Sequence, residues 1–280
     1  MTRNLPLIVP AHNSVQFSVS RDSNAPAIGT PRDVERVYTT LKNSGLADSG
    51  MEILLQPSIL ANTPKFRPNF IAEFSNHPFK TVHILECDPQ YLDAPKTGEQ
   101  LERFSDTLSE INCSNLVIHA DFFVKNIRKR YNLLRSCLPK VRVLVENTGF
   151  ENHWGSRPEN ITTILNACPD FGLCLDIAHV HDYTDISFSQ FKEGVLGDRI
   201  SEIHWSCSTH HMKTDPYEDK GFQGYGPLHA FFSLSGIRPS ASTIKFVTQF
   251  PIVLEGLHPK EDINFKFLQL ERKTLLNGDS

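Results

Sequence analysis

Short apolar runs alternate with amphipathic segments along almost the whole chain. The runs are Leu5–Pro10, Met51–Leu55, Thr81–Leu85, Asn115–Ile118, Val141–Val145, Phe171–Leu175, Ile200–Ile203 and Ile252–Leu254. Apolar runs this short, bounded by turn-forming and polar residues, predict buried strands. The segments between them carry apolar residues at helical spacing. Pro31–Ser44 places Val34, Val37, Tyr38 and Leu41 on one face, with Pro31 suited to the first turn and Gly45 closing it. Thr97–Ile111 does the same with Leu101, Phe104, Leu108 and Ile111. Further helices are predicted over Asn69–Phe74, Phe122–Cys137, Pro158–Ala167, Phe188–Val195, Pro227–Leu234 and Asp262–Leu276, with Ile244–Phe246 at a helix end. The stretches Ser20–Pro31, Gln56–Pro68 and Trp205–Gly226 read as loops.

Strands that alternate with helices at this period argue for a parallel sheet joined by crossover helices. No linker, repeat or low-complexity stretch divides the chain, so residues 1–280 are expected to form one domain. Eight such units in this length fit a (β/α)8 TIM barrel. A doubly wound open sheet is the alternative, but no GxGxxG follows the first run, so the dinucleotide fingerprint is missing.

Composition narrows the function classes. Hydrophobic residues make up 39% and charged residues 21%, ordinary values for a globular chain with a sizeable core. The formal net charge of −4 gives no global basic field for nucleic acid, although a local groove would suffice. The basic residues Lys125, Arg128, Lys129 and Arg130 fit the solvated outer face of a helix. Cys87, Cys113, Cys137, Cys168, Cys174 and Cys207 show no CxxC spacing and lie mostly in apolar surroundings. They predict reduced thiols and a cytoplasmic protein. The N-terminal apolar run is too short for a signal peptide, and no stretch approaches a membrane span. Nothing points to an obligate protein partner.

The candidate chemistry follows from where the strands end. His83, His119, Glu146, Asp176, His204 and Glu255 lie at or near the ends of the third to eighth apolar runs, and His179 follows Asp176 by three residues. In a closed barrel those ends form one ring around the C-terminal mouth. Charged side chains are rarely buried unless paired or bound to a cation, so core packing alone does not account for the pattern. Mixed imidazole and carboxylate ligands suit zinc, with manganese and iron as alternatives. The set exceeds one tetrahedral site, so one to two ions are expected, with one carboxylate bridging in the second case.

The chain resembles the xylose isomerase-like barrel superfamily and, within it, the endonuclease IV family of abasic-site nucleases. The resembling residues are Ala11-His12-Asn13-Ser14, Val82-His83, LVIHA ending at Ala120, VLVENTG with Glu146, GLCLDIAH with Asp176 and His179, EIHW with His204, Gly224-Tyr225-Gly226, and PIVLEG with Glu255. The resemblance spans nearly the whole chain, and VENTG and GLCLDxxH are its most specific parts. It implies one zinc on His83, His119 and Glu146. A second would sit on Glu146, Asp176, His204 and Glu255, and a third would use His179 with an Asp-x-His pair in the loop after the seventh strand. Here the chain departs. Counting back from Gly224, the Asp-x-His positions hold Glu218 and Lys220, and Ser206-Cys207-Ser208-Thr209 replaces an Asn-Asp-Ser-Lys run. The third site is therefore expected to be incomplete unless His210, His211 or Asp215 compensates.

Two activities follow as expectations. One is an endonuclease IV-like hydrolase acting on a phosphodiester, in abasic-site (damaged) DNA or a related small phosphoester. The other is an isomerase or epimerase of a small sugar or sugar phosphate, with a single ion and with Glu146 and Glu255 as catalytic acid and base on opposite faces of the substrate. A barrel that binds a ligand without catalysis is the third.

Overall fold

The computed structural model describes residues 7–11, 30–55, 65–84, 97–149, 153–210, 229–259, 262 and 264–277. His12, His211, Asp215, Glu218, Lys220, Gly224-Tyr225-Gly226 and Cys87 lie outside the described residues.

Eight parallel strands form the barrel: β1 Ile8–Pro10, β2 Gly50–Leu55, β3 Phe79–Ile84, β4 Asn115–His119, β5 Arg142–Glu146, β6 Gly172–Asp176, β7 Ile200–Trp205 and β8 Ile252–Leu254. Each pairs with its neighbours in chain order, and β8 lies between β7 and β1. A parallel bridge between Ala11 and Glu52 joins the end of β1 to β2 and closes the ring. An open doubly wound sheet would leave two edges there, so this closure rules it out.

Strand alternation sorts the residues into two populations. One parity faces the helices: Ile53, Leu55, Val82, Ile84, Leu116, Ile118, Val143, Val145, Leu173, Leu175, Ile203, Trp205, Ile252 and Leu254 all belong to the main apolar core. The other parity faces the barrel axis and carries the polar residues. Thr81 and His83, Cys174 and Asp176, and Glu202 and His204 are pairs two residues apart, and all six are buried. Small apolar clusters fill the rest of the interior, among them Val117, Leu144 and Cys174. At the start of β2, Gly50 has φ 120, and a Cβ there would sit 1.8 Å from the Phe79 carbonyl oxygen, so only glycine lets β2 approach β3.

The helices run over Pro31–Asn43, Pro68–Phe74, Thr97–Glu110, Ile127–Cys137, Pro158–Ala167, Ala241–Val247 and Lys266–Asn277, with shorter pieces between. Three expected helices differ. The Phe122–Cys137 segment divides into a 3-10 turn over Ala120–Phe123 and a helix that starts at Ile127. The Asn126 side chain accepts from the Lys129 N–H and so caps a new helix start. Phe188–Val195 is a 3-10 turn over Phe188–Phe191, opened by a Ser187–Gln190 capping box, and a separate helix begins at Gly194 with φ 57. Within Pro227–Leu234, His229–Ala230 is extended and pairs antiparallel with Cys207–Ser208, and only Phe232–Ser235 is helical. No helix among the described residues is long and apolar enough to cross a membrane. Cys113, Cys137, Cys168, Cys174 and Cys207 are free and buried.

Candidate metal centre

Glu146 ends β5 and is fully buried. Its two oxygens face different partners. Oε2 is 2.9 Å from His83 Nε2 and 3.4 Å from His119 Nε2. Oε1 is 3.1 Å from His204 Nδ1, which is itself 3.2 Å from Glu255 Oε2. Register explains the convergence: His119 pairs with Glu146 across β4 and β5, and Asp176 pairs with His204 across β6 and β7.

The VENTG segment sets the height of the ring. The Asn147 side chain donates to the Asp176 carbonyl at 2.9 Å and accepts from the Asp176 N–H at 2.8 Å. This clamps the ends of β5 and β6 side by side. At Gly149 a Cβ would lie 2.7 Å from His179 Cδ2, so the glycine leaves room for that imidazole. Asp176 caps the short helix Ile177–His181. Its Oδ1 accepts from the His179 N–H at 2.9 Å, while its buried Oδ2 has no hydrogen-bond partner.

His179 Nδ1 is 2.6 Å from the Asn147 carbonyl oxygen. A carbonyl only accepts, so Nδ1 carries the proton and Nε2 keeps a free lone pair in the neutral ring. That Nε2 is 3.1 Å from Nε2 of His229. His229 Nδ1 in turn lies 3.2 Å from Glu255 Oε2 and 3.7 Å from Asp176 Oδ2.

Ligand atoms around a tetrahedral divalent ion, each about 2.0–2.2 Å from it, stand about 3.3–3.6 Å apart. Three sets at the strand ends have their ligand atoms mutually within 4.8 Å: His83, His119 and Glu146; Glu146, Asp176, His204 and Glu255; and Asp176, His179 and His229; two further sets, Glu52 with His83, His204 and Glu255, and Cys174 with Glu202 and His204, do so as well. Among the described residues, Glu146 Oε2, Asp176 Oδ2, Glu255 Oε2 and both nitrogens of His83 are buried without hydrogen-bond partners. They approach one another closely yet are not aligned for hydrogen bonds. Such an arrangement is costly unless a cation satisfies it. The donor set fits divalent metal ions, with one carboxylate shared between neighbouring sets.

The electrostatics agree. Burial alone would raise the Glu146 carboxyl, but His83 and His204 outweigh it and hold the group well below the usual range. Burial pushes His83 down, but Glu146 and Glu52 carry it up to about 10. His229 rises to about 9, because Asp176 and Glu255 outweigh burial. His119 goes the other way, to about 4, chiefly through burial. Burial lifts Asp176 to about 7, with His179 and His229 opposing it.

The structure brings His83, His119, Glu146, Asp176, His179, His204 and Glu255 to one mouth, and it adds residues that strand-end reasoning passed over. Glu52 and Glu202, the latter two residues before His204 on the same strand, are fully buried. His229 supplies the imidazole opposite His179. Its position in the sequence is Pro227-Leu228-His229, two residues after Pro227 and well beyond the Glu218–Lys220 segment that counting from Gly224 aligns with the Asp-x-His pair. The predicted helix over this stretch concealed it, whereas the ribbon with Cys207–Ser208 carries it into the mouth. His210 belongs to none of the three sets among the described residues; its backbone N–H donates to Ser208 Oγ.

The sequence matches no protein-family model and no curated protein. Its fold is that of the xylose isomerase-like TIM barrels. A xylose isomerase domain protein from Planctomyces limnophilus superposes with a TM-score of 0.55 at 11% identity, covering 99% of this chain and 100% of that one. Endonuclease IV from Thermus thermophilus gives 0.59 at 14% identity over 96% and 99% of the two chains. The D-psicose 3-epimerase from Clostridium cellulolyticum gives 0.56 at 12% identity over 97% of each. At these identities the likeness speaks for the fold alone.

Proposed function

We propose that this protein is a divalent-metal-dependent hydrolase that cleaves a phosphodiester, in abasic-site DNA or a related small phosphoester. The observation that carries the reading is the divided carboxylate of Glu146, with Oε2 toward His83 and His119 and Oε1 toward His204. A bridging carboxylate between two ligand sets suits phosphodiester chemistry, and the resemblance to endonuclease IV supports the same reading. Divalent ions, when bound, supply an activated water and charge stabilisation for the attacking and leaving oxygens.

The chain's own residues prepare the site. Glu146 would place one buried negative charge between two adjoining ligand sets. His119 is held neutral near pH 7, so one of its ring nitrogens keeps a lone pair. Asn147 fixes the separation of Glu146 and Asp176 and so the spacing of the sets. We propose zinc as the metal, on the strength of three histidines among the ligands of the two Glu146-sharing sets.

A specific observation favours a second reading. Glu146, Asp176, His204 and Glu255 by themselves form a complete, buried one-ion set. That is sufficient for a sugar isomerase or epimerase, with Glu146 and Glu255 as acid and base. One assay separates the two: an abasic-site duplex and a panel of ketoses and their phosphates, each with zinc, manganese or magnesium. Duplex cleavage that disappears in His119→Ala is expected. Ketose interconversion without duplex cleavage would overturn the hydrolase.

A further inference from the structure

Glu52 stands in the middle of β2, at the seam where β1 and β2 close the barrel, and its side chain is fully buried beneath the metal-type residues. Neither of its oxygens has a hydrogen-bond partner. A buried carboxylate in that condition is unstable unless N–H groups or a cation meet it. The closest imidazole nitrogens are His204 Nε2, 3.0 Å from Oε2, and His83 Nδ1, 3.7 Å from Oε1. Each belongs to a ring whose other nitrogen faces Glu146: His83 through Nε2 and His204 through Nδ1. The two rings lie 5.4 Å apart, so one carboxylate spans both.

We propose that Glu52 is a positioning residue that holds these two histidines together. It takes the His83 Nδ1–H on one oxygen and the His204 Nε2–H on the other. This fixes opposite tautomers in the two rings, so that Nε2 of His83 and Nδ1 of His204 are the ligand atoms. A ligating histidine characteristically gives its other N–H to a carboxylate, which sets ring orientation and raises ligand basicity. Here one buried glutamate serves histidines from two different ligand sets and couples them mechanically. His204 Nε2 is also hydrogen-bonded to Glu202 Oε1, at 3.4 Å, so Glu202 serves the His204 side of the centre. A role confined to one set would therefore point to Glu202, and an effect on both sets points to Glu52.

The inference rests on the metal-centre reading above, and its test separates the two. Zinc titration of chelator-stripped wild type, Glu52→Gln and Glu202→Gln, with thermal unfolding of each apoprotein, reads the binding steps directly. In Glu52→Gln both steps are expected to weaken, each by about 10–100-fold. In Glu202→Gln only the step that uses His204 is expected to move. Nitrogen-15 NMR of the imidazoles in zinc-loaded wild type gives a readout that needs no variant. It should show a protonated Nδ1 in His83 and a protonated Nε2 in His204. The same tautomer in both rings, or zinc steps unchanged in a folded Glu52→Gln, overturns the role of Glu52 alone. Wild type that takes up no zinc removes the metal-centre reading, and the positioning role with it.

Discussion

His179 and His229 meet Nε2 to Nε2 at 3.1 Å, although 50 residues separate them in sequence. His179 donates its Nδ1 proton to the Asn147 carbonyl, so its Nε2 lone pair points at the other ring. Two imidazole nitrogens at this distance either share one proton or share a cation. Asp176, His179 and His229 each bring one ligand atom within 4.8 Å of the others, so a cation has three potential ligands here. His229→Ala is therefore expected to lower metal content in elemental analysis, or to abolish the weakest step of a zinc titration. Unaltered stoichiometry and affinity in that variant would assign the pair to a shared proton.

The carboxylates at the centre should control metal content most directly. Glu146 shares one set with His83 and His119 and another with Asp176, His204 and Glu255, whereas no set joins Glu255 to His119. Glu146→Gln keeps the shape but removes the shared charge, so it should cost more bound metal than Glu255→Gln, and both should fall below wild type. Equal metal content in all three proteins after metal loading would contradict the assignment.

The apoprotein should lose stability as pH rises above neutrality. His83 has a folded pKa of about 10 and His229 of about 9, both above the ordinary imidazole value of 6.5. The folded state thus binds these protons more tightly than the unfolded chain. The contribution is fully present below pH 6.5 and vanishes as pH passes through about 9 and 10. His119 is depressed to about 4, so its own contribution is already constant above pH 6.5. The melting temperature of chelator-treated protein should fall between about pH 7 and pH 10, and bound metal should reduce the fall by replacing those protons. A melting temperature that is flat or rising across that window would contradict protonated His83 and His229 in the folded apoprotein.

Much of the fold was legible because the eight apolar runs are short and separated by helical periodicity. The strand ends carrying His83, His119, Glu146, Asp176, His204 and Glu255 were legible for the same reason. Glu52 and Glu202 were less visible because they sit inside the runs, where apolar neighbours of the outward parity mask them. The signal was there: Glu202 lies two residues before His204, and Glu52 is the only charged residue in the run Gly50–Leu55. His229 was hidden for a different reason. Its placement depends on a two-residue ribbon with Cys207–Ser208, a long-range pairing that local periodicity does not encode. The break before Ile127 was readable in principle from Asn126, but the apolar residues Phe122 and Phe123 extend the helical pattern across it.

His119 offers the sharpest separation between the two proposed activities. It is the most exposed member of the set with His83 and Glu146, its side chain 15% accessible at the rim of the mouth, so truncating it removes little packing. Burial already holds it neutral near pH 7, so its loss does not leave an ion pair broken. A hydrolase that needs the His83–His119–Glu146 position loses a positioned electrostatic stabiliser when His119 is cut back to alanine. Turnover of a phosphodiester should then fall by about 10²-fold or more, while the melting temperature barely moves. An isomerase that works through the set of Glu146, Asp176, His204 and Glu255 keeps all four ligands in this variant. Its turnover should survive, and the change should appear mainly in KM. Steady-state kinetics of His119→Ala on the duplex and on the ketose panel, beside its unfolding curve, therefore gives opposite patterns for the two chemistries. A fall in turnover matched by an equal loss of folded protein would instead make His119 a structural residue.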